Sequence, residues 1–393
     1  MVTNNQKHPG TRSLAVDFYR GLALVVIMLD HIPGSLLSHI TLHNYAFCDA
    51  AEVFVCLGGY STAAAYMKID AKQGATAAGR RFYKRSFEIY RAFLVLAALM
   101  LVIGMTLHGL HMDTPEVNAT EATTFLQRPF GMLLDVASLR RQPFLSSVLP
   151  MYAIFALCAP FMIRCACKAP LWTALGSVAM WLLAPTLAQN LPSAYPEGWA
   201  FNPFAWQIIF VIGVMIRLYP VSTAVYDTPL GKTLTRAALL AFVGFACWQL
   251  LTTTLSPGYE KQNVALLRLL NFAALLWVGS WISARGWIDK LAERLPAVVL
   301  AGKHSLVCFM AGACVSISID GISRLMVHPT PKLPSPTAWM VGAADDISAI
   351  VILLTIVWIA ANYKARNAAA SSAARGGGGS GVAVAVSKTG RRG

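Results

Sequence analysis

Ten stretches of this chain, each about 20 residues long, consist almost wholly of apolar side chains, and a helix of that length matches the hydrocarbon thickness of a bilayer. They run approximately 14–34, 46–67, 87–109, 143–163, 171–188, 203–219, 235–254, 264–283, 296–318 and 341–361. In hydrocarbon every backbone N–H and C=O must be bonded internally, so such stretches fold as helices packed side by side. The fold class expected is therefore an all-α, polytopic membrane helical bundle of about ten transmembrane helices. Composition closes the alternatives. Only 13% of the 393 residues are charged and the mean hydropathy is +0.56, whereas a soluble domain carries roughly a quarter charged residues. A cytosolic enzyme, a secreted domain and a disordered chain are excluded. The first stretch is no signal peptide, because Asp17 and Arg20 interrupt it and no small-residue cleavage site follows.

The charges that remain are distributed unevenly. Connections on one side of the membrane, including both termini, hold 23 Lys and Arg, and those on the other side hold 6. The positive-inside bias then sets both termini in the cytoplasm (N-in/C-in) and requires an even number of spans, which ten satisfies. The same bias accounts for the net charge of +14, so no nucleic-acid partner is expected; the partner is the lipid bilayer. The chain divides into a cytoplasmic N-terminus (1–13), a transmembrane domain (14–361) and a flexible cytoplasmic tail (362–393) rich in Ala, Ser and Gly. The eight cysteines lie mostly within apolar runs, and Cys165-Ala-Cys167 has the wrong spacing for a zinc pair, so neither a disulfide framework nor a metal site is expected. No internal repeat and no pair of broken helices in matching positions is visible, which weighs against a secondary transporter.

An ionisable residue inside a span is costly and marks function by default. The first span carries four: Asp17, Arg20, Asp30 and His31. Arg20 and His31 are eleven residues apart, within about 20° of the same helix face and roughly 16 Å apart along the axis. The second span returns from the outer side, so Asp49 and Glu52 at its start lie at the depth of His31. An imidazole beside carboxylates in dehydrated surroundings suits general-base chemistry, with Glu52 or Asp30 orienting the ring. His304, Arg268, Gln207 and the pair Asp345-Asp346 are further polar groups that could converge on one cavity. Lys303 is expected to snorkel to the cytoplasmic face. His39, His43, His108, His111 and His328 fall at helix ends or in outer loops and read as solvated. The basic run Arg80, Arg81, Lys84, Arg85 and Arg91 reads first as a topology signal, and second as a dock for a phosphorylated donor. The connection at 110–142 reads as a long outer loop.

These residues resemble a known family. The stretch Leu14-Ala-Val-Asp17-Phe-Tyr-Arg20-Gly-Leu, then Leu29-Asp30-His31-Ile-Pro33, then Asp49-Ala-Ala-Glu52-Val-Phe-Val-Cys-Leu-Gly-Gly59-Tyr60 is similar to the OpgC group of membrane acyltransferases, within the acyltransferase-3 superfamily. Gln142-Pro-Phe-Leu, Val148-Leu-Pro-Met-Tyr152, Phe201-Asn-Pro-Phe-Ala-Trp206-Gln207 and Gly302-Lys-His304-Ser-Leu continue the likeness in order along the spanning region. The resemblance implies a bacterial inner-membrane O-acyltransferase. Such an enzyme moves a succinyl or acetyl group from a cytoplasmic acyl-CoA, such as succinyl-CoA, to hydroxyls of an exported glucan or of cellulose, alone or beside a polysaccharide synthase. Carried over residue by residue, it implies catalytic roles for His31, Arg20 and Glu52, with Asp30 beside them. It implies donor contacts at Arg81, Arg85 and Arg91, while Asp49, Gln207 and His304 remain candidate substrate-binding groups. No bound cofactor is implied; acyl-CoA is a co-substrate. One departure is Gly58, where Ser is usual. The competing readings are a transporter of an acyl donor or a proton-coupled permease, and a non-catalytic partner of a polysaccharide synthase.

Overall fold

The ten apolar stretches are largely helical where the computed structural model describes them; it describes residues 13–112, 114–251, 260–326 and 336–376. Helix α1 (Leu14–Leu29) is followed by the single turn α2 (Leu42–Tyr45), then by α3 (Ala50–Gln73) and the 35-residue α4 (Ala75–Gly109). Three short helices, α5 (Pro115–Asn118), α6 (Ala122–Gln127) and α7 (Pro129–Ala137), lead to α8 (Val148–Lys168). Next come α9 (Pro170–Leu182), α10 (Ala184–Ala188), α11 (Pro203–Leu218), α12 (Pro229–Leu251) and α13 (Leu266–Ala284). The chain closes with α14 (Trp287–Arg294), α15 (Pro296–Lys303), α16 (Ser305–Met326) and α17 (Pro336–Gly376). All secondary structure among the described residues is helical. Six helices, α4, α8, α12, α13, α16 and α17, are long and apolar enough to cross a membrane, and α9 and α11 are shorter apolar helices.

The expectation of ten uninterrupted spans is corrected in two places. The fifth stretch is divided between α9 and α10, with Pro185 at the start of the second piece. The ninth is broken at His304, whose φ of −110° and ψ of 37° leave the helical region between α15 and α16. The polar run Gly302-Lys303-His304-Ser305 inside an apolar stretch is the local cause: glycine weakens the helix, and the first turn of α16 begins afresh at Ser305. The tail from 377 and His328 lie outside the described residues.

Two helix crossings fix the helices that matter for function. Where α1 crosses α15, a Cβ on Gly21 would collide with the Val298 carbonyl, and one on Gly302 with the Asp17 carbonyl. Where α3 crosses α11, the same holds for Gly59 against Phe210 and Gly213 against Cys56. Both crossings are reciprocal, a glycine on each helix admitting the partner's backbone. In lipid there is no hydrophobic drive between helices, so this close van der Waals approach is what holds them. Antiparallel to α3, α4 runs beside α8, with the Ser86 hydroxyl donating to the Ala153 carbonyl (2.7 Å) and Arg164 Nη2 to the Ala75 carbonyl (3.3 Å).

Residues 110–142 are not an extended loop. α5, α6 and α7 fold back along α4: Thr120 closes on Gly104, and the Tyr90 hydroxyl donates to the Ala137 carbonyl at 2.7 Å. Ion pairs hold the segment in shape. Arg141 pairs with Glu121 at 2.6 Å while its guanidinium stacks 5.1 Å from the Tyr195 ring centroid, and Arg128 pairs with Asp135 at 2.8 Å. Burial, and the hydrogen bond that the Tyr195 hydroxyl gives to Glu121, push the pKa of that phenol up. This folded cap brings Phe144, at the end of the return strand of chain, against the ring of His31.

Candidate functional site

The site begins with the start of α3. Asp49 is the N-cap, its Oδ1 accepting from the Ala51 N–H (2.8 Å), and Glu52 reaches back so that Oε2 accepts from the Asp49 N–H (2.9 Å). This capping box fixes both carboxylates and leaves one oxygen on each. Arg268 of α13 takes both: Nε donates to Glu52 Oε1 at 2.7 Å and Nη2 to Asp49 Oδ2 at 3.1 Å. Lys261 completes the group, its Nζ 2.7 Å from Asp49 Oδ2 and 5.6 Å from the Phe201 ring centroid. Two acids and two bases thus balance in a place where the Arg268 side chain is 2% exposed and the Glu52 side chain not at all. Partial burial acts against the charge of Lys261, but Asp49 and Glu52 outweigh it and raise its pKa.

His31 follows the C-cap of α1. Its Nδ1 is 2.6 Å from the Ile27 carbonyl oxygen. A carbonyl only accepts, so Nδ1 carries the hydrogen and the neutral ring keeps its lone pair on Nε2. The orienting group is therefore a main-chain carbonyl one turn back, not the carboxylate of Glu52 or Asp30. Asp30 is engaged elsewhere, accepting from the Thr41 hydroxyl at 2.6 Å. The Phe144 ring meets the imidazole edge-on, 5.5 Å between centroids.

A cavity of about 500 Å³ opens beside this imidazole. Its polar rim is Asp30, His31, His43, Asp49 and Lys261, and its walls are apolar, with Ile27, Met28, Phe54, Phe144, Val148 and Phe309 among them. Below the floor, on the stripe of α1 that carries Leu24, Ile27, Met28 and His31, lies Arg20. Its guanidinium donates to Ser305 Oγ at 2.7 Å and to Ser61 Oγ at 3.4 Å. Arg20 thus ties α1 to α3 and to the first residue of α16, just past the break at His304.

The sequence candidates divide accordingly. His31, Asp30 and Asp49 line one cavity, Glu52 backs it through Asp49 and Arg268, and Arg20 underlies it. Gln207 is not in the cavity wall: its side chain is occupied with Ser177 of α9, accepting from Oγ at 2.7 Å and donating to the carbonyl at 2.8 Å. His304 marks the α15–α16 break. Arg81 and Arg85, on the first half of α4 and away from the cavity, share Glu88 at 3.1 and 3.2 Å, and Arg91 is exposed on the same helix. His43, read from sequence as solvated, is exposed and also lines the cavity. Asp345 and Asp346 fasten the first part of α17, Asp345 accepting from Ser323 and Asp346 from the Leu37 N–H. Spacing alone identifies neither Lys261 as a member of this group nor the partners of Arg268. The signal for the latter was present: a lone Arg in an apolar run demands buried carboxylates, and Asp49 and Glu52 were the acids at the matching depth. Among the described residues no His, Cys, Asp and Glu group could hold a metal ion.

A family model described as OpgC protein matches residues 12–365. No curated protein and no solved structure matches the chain. With the greater part of its length matched, the chain belongs to the OpgC family.

Proposed function

With OpgC membership as the premise, we propose that this protein is a membrane O-acyltransferase that moves an acyl group from an acyl-CoA to a hydroxyl of an exported glucan, with His31 as general base. One observation carries the reading. The imidazole is held through Nδ1 by the Ile27 carbonyl, so that its basic nitrogen is free for a cavity with apolar walls that leads along α1 toward Arg20.

In the reaction, the thioester enters from the Arg20 side and the sugar from the rim. Nε2 takes the proton of the attacking hydroxyl as its oxygen bonds to the thioester carbonyl carbon. The carbon–sulfur bond breaks, the thiolate leaves, and the imidazolium returns the proton to it. Holding the two substrates in one dry cavity supplies much of the acceleration. Asp30 and Asp49 at the rim, with the Phe201 face nearby, suit hydroxyl groups and a sugar ring, and Lys261 holds Asp49 in place. The finer parts of this reading (a succinyl or acetyl donor, a periplasmic glucan or cellulose acceptor, a bacterial inner membrane, entry of the donor from the cytoplasm past Arg81, Arg85 and Arg91) go with the same proposal.

The test is transfer by purified protein in detergent, with radiolabelled succinyl-CoA or acetyl-CoA and a β-glucan oligosaccharide. Without any gradient, wild-type protein is expected to form ester, and His31→Ala to lose about 10²–10⁴-fold in kcat while melting as wild type does. A transporter would form no ester in detergent, and ester formation by His31→Ala near the wild-type rate removes the imidazole from the chemistry.

A further inference from the structure

One buried polar group near this cavity has no use in the reaction above. Tyr152 lies on α8 one turn below Val148, on the same face, and Val148 lines the cavity. Its ring packs edge-on against Phe54, another cavity residue, at 5.5 Å between centroids, and against Phe155 at 6.2 Å. The hydroxyl oxygen is buried and has no hydrogen-bond partner among the described residues. Leaving such a group unpaired is unfavourable, and a phenylalanine would fill the same space without that penalty. The neighbouring residue makes the exception more pointed. Gly58 of α3 faces the phenol, and a Cβ there would stand 3.0 Å from Cε1 and 3.1 Å from the hydroxyl oxygen. Even a methyl there would crowd the phenol, so the position nearest the hydroxyl offers it no partner. The Arg20 guanidinium is within electrostatic range of the same oxygen.

Resting on the acyltransferase reading, we propose that the Tyr152 hydroxyl is a ligand contact at the cavity floor, donating a hydrogen bond to an amide carbonyl of the donor's pantetheine arm as that arm passes between Arg20 and His31. The chemistry fits the place. The apolar wall formed by Leu24, Ile27, Met28 and Phe54 suits the arm's methylene units, but its amide carbonyls would arrive there stripped of water and need a donor. A phenol supplies one at low entropy cost, and it carries no charge to desolvate. Tyr152 is a positioning residue in this scheme: it sets how far the thioester rises toward Nε2 of His31, and it takes no part in bond making.

The decisive variant is Tyr152→Phe, measured for binding by calorimetry in detergent with two probes: coenzyme A and adenosine 3′,5′-bisphosphate, which lacks the arm. Coenzyme A affinity is expected to fall about three- to tenfold, the loss of one hydrogen bond, with the nucleotide's affinity unchanged and the melting temperature equal to or above that of wild type. Equal coenzyme A affinity in Tyr152→Phe and wild type overturns the proposal while leaving the role of His31 standing. A loss of affinity shared equally by both probes overturns it too, since the contact would then not be with the arm. Failure of wild-type protein to bind coenzyme A at all overturns both this proposal and the acyltransferase reading.

Discussion

Replacing Arg268 by methionine tests the ion group that backs the site. The change keeps the length and most of the volume of the side chain but removes the one cation among the described residues that touches both Glu52 and Asp49. Asp49 keeps Lys261, whose side chain is 40% exposed. Glu52, fully buried, keeps the Asp49 N–H as its one hydrogen bond among the described residues, with Lys261 at longer range. Removing one partner of a buried pair costs about 3–5 kcal/mol, because the other charge stays behind without compensation. For a chain of this size, with an unfolding entropy of about 0.8 kcal/mol/K, that corresponds to a fall in melting temperature of about 4–6 °C. With the exposed Cys158, Cys167 and Cys247 replaced by serine, a thiol-reactive fluorogenic dye reads it in detergent, because Cys48 and Cys56 are 0% and 3% exposed in the folded protein and react on unfolding. The companion variant Glu52→Gln/Arg268→Met removes both charges, and roughly half of the loss should return. A melting temperature for Arg268→Met within about 1 °C of wild type would refute the pairing, as would a double variant whose loss is simply the sum of the two single losses.

Three other outcomes are expected beside those given for His31 and Tyr152. Gly21→Ala should lower the melting temperature, costing about 1–3 kcal/mol, because its methyl would meet the Val298 carbonyl. Gly79→Ala, where a Cβ meets nothing within 4 Å, should instead be neutral or raise it by a degree or two through helix propensity. Lys261 carries a pKa raised above the ordinary lysine value of 10.5, so its charge stabilises the fold fully below that value and the contribution is lost as pH rises through the folded pKa. The melting difference between wild type and Lys261→Met should therefore be constant up to about pH 10 and narrow above it, and a difference already gone at pH 9 would remove Lys261 from the ion group.

Much of this was legible in the sequence for one reason: charge in an apolar run is conspicuous. The stripe of α1 from Arg20 to His31, and the acids Asp49 and Glu52 at the start of α3, followed from spacing and from the cost of burying them. What spacing does not carry is which group satisfies which. His31 is turned by a backbone carbonyl, which no side-chain pattern announces, and Lys261 reaches Asp49 across 212 residues of chain. The interruption at His304 had its signal in Gly302-Lys303-His304, a polar run inside a ninth apolar stretch, but length alone favoured a single helix. The fold-back of α5, α6 and α7 was hidden because 110–142 mixes apolar runs with Arg128, Arg140 and Arg141, whose charges read as solvated until Glu121 and Asp135 are seen to neutralise them. Gln207, attractive as a polar residue in a span, is accounted for by a local bond to Ser177.

The bond between Glu52 and Arg268 also has a bearing on how the protein is made. The two residues are 216 positions apart, and a ribosome adding about 5–20 residues per second delivers the guanidinium roughly 10–40 s after the carboxylate. During that interval the start of α3 has its capping box but not its counter-cation, so it cannot settle in its final depth at the rate of synthesis. The nascent second helix must wait, near water or against the insertion machinery, until α13 arrives to neutralise it. Maturation of this ion group is therefore a late event, completed only when α13 has been made.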